Sequence, residues 1–243
     1  MNAPITLSII IPAYNEEQRL PDTLRQVYAY LRQQAYAYEV IVVDDGSSDA
    51  TCQMVEAFFA TVDGGILLRN EQNQGKGFSV RRGVLASVGE FVLFSDADLS
   101  TPIQEVEKLL AVLRDGCDIA IGSRGLRASD VRRHQPFYRE YMGKIFNLFA
   151  KAFSLTPFAD TQCGFKCFRG EAARFIFARQ RIEHFSFDVE VLFIAARHRY
   201  VIREVPIQWV NNPNSRVNAV LDAAKMFADL CRIRLNAWMG KYD

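Results

Sequence analysis

Two aspartates stand two residues apart at the end of an apolar run, in Phe94-Ser95-Asp96-Ala97-Asp98-Leu99-Ser100. Carboxylates at i and i+2 leaving a strand can bend toward one hard cation, and Mg2+ or Mn2+ accepts one or two carboxylates together with diphosphate oxygens. The same spacing suits an acidic turn in which Asp98 caps a helix opening at Thr101-Pro102. Spacing alone leaves both readings open. A second group is cationic: from residue 124 to 144, Arg124, Arg127, Arg132, Arg133, Arg139 and Lys144 are set against only Asp130 and Glu140. Arginine forks match phosphate oxygens, so Arg124, Arg132, Arg133 and Arg139 are candidate phosphate contacts, with Lys166 a further one. The plain alternative is a solvated basic loop. A third group lies in Phe185-Ser186-Phe187-Asp188-Val189-Glu190, where an apolar setting would raise a carboxylate's pKa on burial. Asp188 is the base candidate if a hydroxyl must be activated, and otherwise positions substrate or Lys166 and Arg124, or caps a helix.

These residues need a scaffold that brings them together, and the chain supplies an α/β alternation. Short β-branched runs ended by turn residues, "LSIIIPAYN" and "YEVIVVDDGS", read as buried parallel strands. Between them residues 16–34 have helical periodicity, with Leu20, Leu24, Val27 and Leu31 on one face. A helix through about Ala60 follows Ser47 to Asp49, which read as its N-cap. "GGILLRN", Gly75 to Ser87, "EFVLFSD", "TPIQEVEKLLAVLRDG" and "CDIAIGSR" continue as strand, helix, strand, helix, strand. Such repeats predict a mostly parallel, Rossmann-like sheet with helices on both faces, whose ligands bind at the carboxyl ends of the strands. The polar endings gather there: Tyr14, Asn15 and Glu16, then Asp44 and Asp45, Asp96 and Asp98, Ser123 and Arg124. Beyond Gly125 we expect a basic loop, an aromatic-rich helix near 136–153, "DTQCGFKCFRG" turning into a strand, helices near 171–178 and 188–198, a strand "YVIREVPIQW", a polar loop "VNNPNSR" and a last helix at about 218–239. The whole of 1–243 reads as one domain whose second half elaborates the first.

Composition narrows the function. With 243 residues, 23% charged and a formal net charge of +1, neither acidic disorder nor whole-chain attraction to nucleic acid is indicated. The five cysteines are odd in number and scattered, which suits a reducing, cytoplasmic setting, and the histidines do not complete a zinc pattern with Cys163 and Cys167. The longest uncharged stretch, Met1 to Asn15, holds two prolines and falls short of a bilayer span of about 20 residues. A dinucleotide fingerprint is absent after the first strand, "GKGFSV" carries Val80 in the third glycine's place, and there is no Walker A loop. A nucleotide diphosphate held here therefore wants a divalent ion in place of a glycine cradle.

Taken together, "SIIIPAYNEEQRLPDTL", "VIVVDDGSSDAT", "NQGKGFSVRRGVLASVGEFVLFSDADLSTP", "IAIGSR", "DTQCGFKCFRGEAA" and "FSFDVEVLFIA" resemble the family 2 glycosyltransferases. "DTQCGFK" and "FDVEVL" point to the branch of dolichyl-phosphate β-glucosyltransferases and their prokaryotic polyprenyl-phosphate relatives. The resemblance implies a GT-A fold and inverting transfer of a hexose, glucose from UDP-glucose, to a dolichyl- or undecaprenyl-type phosphate. It implies that Pro12, Tyr14 and Glu16 contact the nucleoside, that Asp45 with Asp44 meets the base, and that Lys76 and Gly77 of "GKG" lie near it. Asp96 and Asp98, with Ala97 between, match the metal-binding motif for Mg2+ or Mn2+. The membrane helices of eukaryotic and many bacterial relatives are not matched, so a membrane surface is expected to be met peripherally, at its cytoplasmic face.

An acceptor phosphate is already largely dianionic at pH 7, its second pKa being about 6, so catalysis needs charge management more than a strong base. Asp98, Arg124 and Asp188 are accordingly the catalytic candidates. Apolar faces near 145–153 and 220–239, mixed with Lys and Arg, suit a lipid interface, the core or a homodimer contact. Two other functions fit parts of the pattern: transfer to a sugar hydroxyl in polysaccharide or glycolipid assembly, and a non-catalytic phospho-receiver or lipid-surface module. A receiver would carry its acidic pair after the first strand, whereas Asp44-Asp45 follows the second.

Overall fold

The computed structural model describes residues 4–133, 149, 151, 156–210 and 219–243. Arg139, Lys144, the aromatic-rich helix near 136–153 and most of the polar loop lie outside the described residues.

The alternation forms as expected. Strands β1 (Leu7–Ala13), β2 (Tyr38–Asp44), β3 (Gly65–Arg69), β4 (Phe91–Ser95) and β5 (Ile119–Ser123) are joined by helices α1 (Leu20–Leu31), α2 (Thr51–Phe59), α3 (Lys76–Ala86) and α4 (Val106–Arg114). β1 and β2 are apolar nearly throughout because helices cover both faces of the sheet. Alternate side chains serve the two layers: Leu7, Ile9 and Ile11 enter a core with α1 and α4, while Ile10 enters the other with α3. Leu20, Leu24, Val27 and Leu31 are all buried, as the helical period requires.

The second half weaves into this sheet. Strand β7 (Phe165–Arg169) runs antiparallel between β4 and β5, with Lys166 in register with Phe94 on one side and Ile121 on the other. The seven-stranded order is β3-β2-β1-β4-β7-β5-β8, where β8 is Ile202–Pro206. Helices α5 (Gly170–Arg179), α6 (Phe187–Arg197) and α7 (Ala219–Trp238) complete the layer that holds Ile10; Ile176, Leu192, Leu230 and Ile233 share its core.

The sheet thus departs from an all-parallel succession at one strand. Two further boundaries shift. The expected strand from Tyr200 to Trp209 divides at Ile207: β8 ends on Pro206, which cannot donate to a ladder, and β9 (Gln208–Val210) joins β6 (Asp130–Arg133) in a separate parallel pair. The helix after Thr101-Pro102 opens as a 3-10 turn over Ile103–Glu105 before becoming α4.

Candidate active site

The carboxyl ends of β1 and β2 are tied to each other through short polar side chains. Asn15, at a φ of 53°, accepts the Ser48 N–H on Oδ1 at 2.8 Å, and its own N–H donates to Ser47 Oγ at 2.8 Å. Glu16 donates its N–H to Thr51 Oγ1 at 2.7 Å and accepts from Arg19 Nε at 2.6 Å. Asp49, with Thr51 N–H on its Oδ1 at 3.0 Å, supplies the local turn into α2. Asp44 and Asp45 are both buried. Asp45 gathers Asn70 Nδ2 (2.7 Å), Gln74 N–H (2.9 Å) and Gly75 N–H (2.8 Å), and so shapes the loop that delivers Lys76. Tyr14 stands half-exposed beside this rim, one residue beyond the Ala13–Asp44 register.

At the end of β4 the two aspartates part in their roles. Asp98 Oδ1 accepts the Ser100 N–H at 3.0 Å, a local turn ahead of the helix, whose own N-cap position, Pro102, has no side-chain cap. Burial, then the neighbouring Asp96 charge, raises its pKa above the usual carboxylate range. Asp96 points elsewhere: its Oδ1 meets Lys76 Nζ at 2.6 Å, with side chains 37% and 22% exposed. Its N–H donates to Gly164 O at 3.1 Å, and its carboxylate lies where a β-carbon on Gly164 would stand. Burial works against the Lys76 ammonium, but Asp96 and then Asp188 outweigh it and hold the lysine above its usual range. The Ala97 carbonyl accepts the Thr23 hydroxyl at 2.6 Å, fixing the middle of the motif to α1.

Deeper in, Lys166 and Asp188 form a pair at 2.5 Å with side chains 0% and 5% exposed. Lys166 also donates to Cys163 O at 2.6 Å and lies 5.2 Å from the Phe94 ring centroid. Burial raises Asp188 despite Lys166 and Lys76. Arg124 grips Asp160 through Nε (2.6 Å) and Nη2 (2.9 Å), donates its backbone N–H to the same carboxylate (3.0 Å), and lies over Trp209. Burial alone would raise Asp160, yet the Arg124 guanidinium overrides it and holds the carboxyl at about 2. Arg132 is exposed and pairs with Asp130 at 2.7 Å, away from these buried pairs. Glu190 turns the other way, accepting from Ile182 N–H (2.8 Å), Arg181 N–H (3.0 Å) and the Tyr242 hydroxyl (2.5 Å).

The glycosyl transferase family 2 model matches residues 8–177, a span that contains every strand of the crevice except β8. The chain belongs to glycosyl transferase family 2. Among curated proteins, it is 34% identical over 248 residues to a dolichyl-phosphate beta-glucosyltransferase of Dictyostelium discoideum, covering 97% of this chain and 76% of that one. It is also 34% identical over 249 residues to the dolichyl-phosphate beta-glucosyltransferase of Homo sapiens, covering 97% and 77%. Among solved structures, mannosyl-3-phosphoglycerate synthase from Rubrobacter xylanophilus superposes with a TM-score of 0.70 at 18% identity, over 98% of this chain and 75% of that one. Glucosyl-3-phosphoglycerate synthase from Mycobacterium tuberculosis, in complex with Mn2+, UDP and glucosyl-3-phosphoglycerate, gives 0.66 at 18% identity, over 96% and 79%. The fold of this glycosyltransferase is the GT-A fold.

The family 2 glycosyltransferase brings Asp45, Lys76, Gly77, Asp96, Ala97 and Asp98 to one crevice, with Lys166 and Asp188 beneath it. Two carboxylates at one strand end, one of them raised by burial and then by its neighbour's charge, suit a hard divalent ion. No group of three His, Cys, Asp or Glu side chains suited to a metal occurs among the described residues. Three contributors escaped the sequence reading. Asp160 lies 36 residues from the arginine it holds, Gly164 makes room for Asp96, and Tyr242 reaches Glu190 across 52 residues. Only the Gly in "QCGF" carries a local signal, a residue without a β-carbon at a strand start. The Cys163 thiol, pushed up to about 12 by burial, stays protonated. No helix among the described residues is long and apolar enough to cross a membrane.

Proposed function

We propose that this glycosyltransferase moves glucose from UDP-glucose to the phosphate of a dolichyl- or other polyprenyl phosphate, with inversion at the sugar carbon. The observation that carries the choice of acceptor is the engagement of Asp188. Its Oδ1 is held by Lys166 at 2.5 Å and its side chain is nearly sealed from solvent, so it is poorly placed to take a proton from an acceptor hydroxyl. A phosphate dianion asks for no such base. The names of the curated relatives agree with a polyprenyl-phosphate acceptor.

In this reading residues 1–124 hold the donor. Pro12, Tyr14 and Glu16 line the nucleoside side, Asp44 and Asp45 set the base side, and Lys76 with Gly77 approaches the diphosphate. Asp96 and Asp98 hold Mg2+ or Mn2+. When bound, that ion neutralises the charge that develops on the departing UDP. Residues 125–243 hold the acceptor. Arg124 uses Nε and Nη2 on Asp160, leaving Nη1 for the acceptor phosphate, and Arg132, Arg133 and Arg139 of the basic segment are further candidates. Lys166 acts from beneath by fixing Asp188. We place the protein at a membrane surface, on the cytoplasmic face, through α7, where Leu235, Met239 and the 86% exposed Trp238 sit near Arg232, Arg234 and Lys241.

Incubation with labelled UDP-glucose, Mn2+ and a short polyprenyl phosphate should yield glycolipid that is lost when Asp98 is replaced by alanine. Unchanged activity in Asp98→Ala would sink the metal assignment. One observation favours a hydroxyl acceptor instead: burial raises Asp188 toward the range of a working base. Faster transfer to a polyprenyl-linked sugar than to the bare phosphate would decide for it.

A further inference from the structure

Lys76 is held from both sides. Gly75, at a φ of 105°, packs its α-carbon against Glu183 O and His184, and Gly77 does the same against Phe187 and Ile182 O, where β-carbons would collide. Phe78 N–H donates to Glu183 O at 3.0 Å, and Gln180 Nε2 donates to Gly77 O at 2.9 Å. The backbone around Lys76 is therefore pinned to the segment leading into α6. Asp96 is equally constrained, its N–H on Gly164 O and its carboxylate pressed over that glycine. The 2.6 Å contact between Lys76 Nζ and Asp96 Oδ1 joins two groups placed by the fold, unlike a chance meeting of two surface side chains.

That contact occupies one of the two carboxylate oxygens that Asp96 could offer a divalent ion. Mg2+ takes carboxylate oxygens at about 2.0–2.1 Å, and an ammonium on the same oxygen repels it. We propose that Lys76 is a resident counter-ion of Asp96 which a divalent ion must displace, so that the ion enters with the nucleotide diphosphate and not ahead of it. An ion arriving alone breaks the pair without compensation. With a diphosphate present, its oxygens receive the freed ammonium, which also lies in the field of Asp188. The inference rests on the donor-site reading given above and adds to it an order of assembly.

Calorimetric titration of Mn2+ into the full chain, with and without UDP, tests both. Wild type should bind Mn2+ weakly alone and more tightly with UDP. Lys76→Met should bind Mn2+ alone about fivefold more tightly than wild type, the scale of one partly exposed ion pair, and should gain less from UDP. Lys76→Arg, which keeps the cation, should stay weak. Mn2+ should raise the melting temperature of Lys76→Met without nucleotide and leave that of wild type nearly unchanged. Unchanged or weaker Mn2+ affinity in Lys76→Met, with wild type still binding Mn2+ in the presence of UDP, overturns the displacement alone. Failure of wild type to bind Mn2+ even with UDP overturns the donor-site reading and the displacement together.

Discussion

Two lysine–aspartate pairs sit in one crevice and have opposite characters. Lys76–Asp96 joins the N-terminus of α3 to the end of β4 at the open mouth, with both side chains partly exposed. Lys166–Asp188 joins the interior strand β7 to the start of α6 and is sealed, the lysine's backbone pairing between β4 and β5. Near solvent, such a pair gains little and can be exchanged for another cation. In the interior neither charge can be left alone, and the pair behaves as a fixed joint. The same chemistry therefore serves as a replaceable contact in one place and as architecture in the other.

The contrast breaks most readily at the sealed pair. Lys166→Met should lower unfolding stability by about 3–5 kcal/mol in urea titrations, because Asp188 is left buried without its partner. Replacing both, as Lys166→Met with Asp188→Leu, should recover much of that loss, and a single variant as stable as wild type would end the distinction. Asp96→Asn should show the reverse profile. Glucose transfer from labelled UDP-glucose should fall by about 10²–10³ in kcat, while urea unfolding moves little.

The Arg124–Asp160 fork offers an intermediate case with a pH signature. Asp160 is held at about 2 in the folded chain, below the roughly 3.9 of an unfolded aspartate. A depressed folded pKa adds stability that is present above about pH 4 and lost as the pH falls toward 2, on the order of 2–3 kcal/mol. Urea titrations from pH 5 to 2 should therefore be flatter for Asp160→Asn than for wild type. The smallest effect belongs to the open pair: without metal, Lys76→Met should cost no more than about 1 kcal/mol by the same unfolding measurement.

Legibility in the sequence follows the same divide. β1, β2, β4 and β5 announce themselves because buried strands are continuous apolar runs, and Asp44, Asp45, Asp96 and Asp98 end or directly follow two of them in the chain. β7 does not announce its neighbours: Phe-Lys-Cys-Phe-Arg carries no mark of which strands will flank it, and a lysine there argues against a central position until Asp188 is in place. The partners Asp160 for Arg124 and Tyr242 for Glu190 depend on tertiary closure over 36 and 52 residues, which no local period encodes. Asp98 was ambiguous between cap and ligand on spacing, and its carboxylate does accept the Ser100 N–H while lying beside Asp96.

The insertion of β7 also bears on how the molecule is made. During synthesis β4 and β5 leave the ribosome well before residues 165–169, and β5 has neither sheet neighbour until β7 and β8 arrive. The floor under Asp96, Gly164, arrives equally late. A nascent chain that stops near residue 124 thus exposes unpaired strand edges, a state prone to aggregation. Residues 1–124 are consequently not a portable module: grafting them onto another C-terminal region would require a surrogate strand threaded antiparallel between β4 and β5, complete with its own glycine beneath the aspartate.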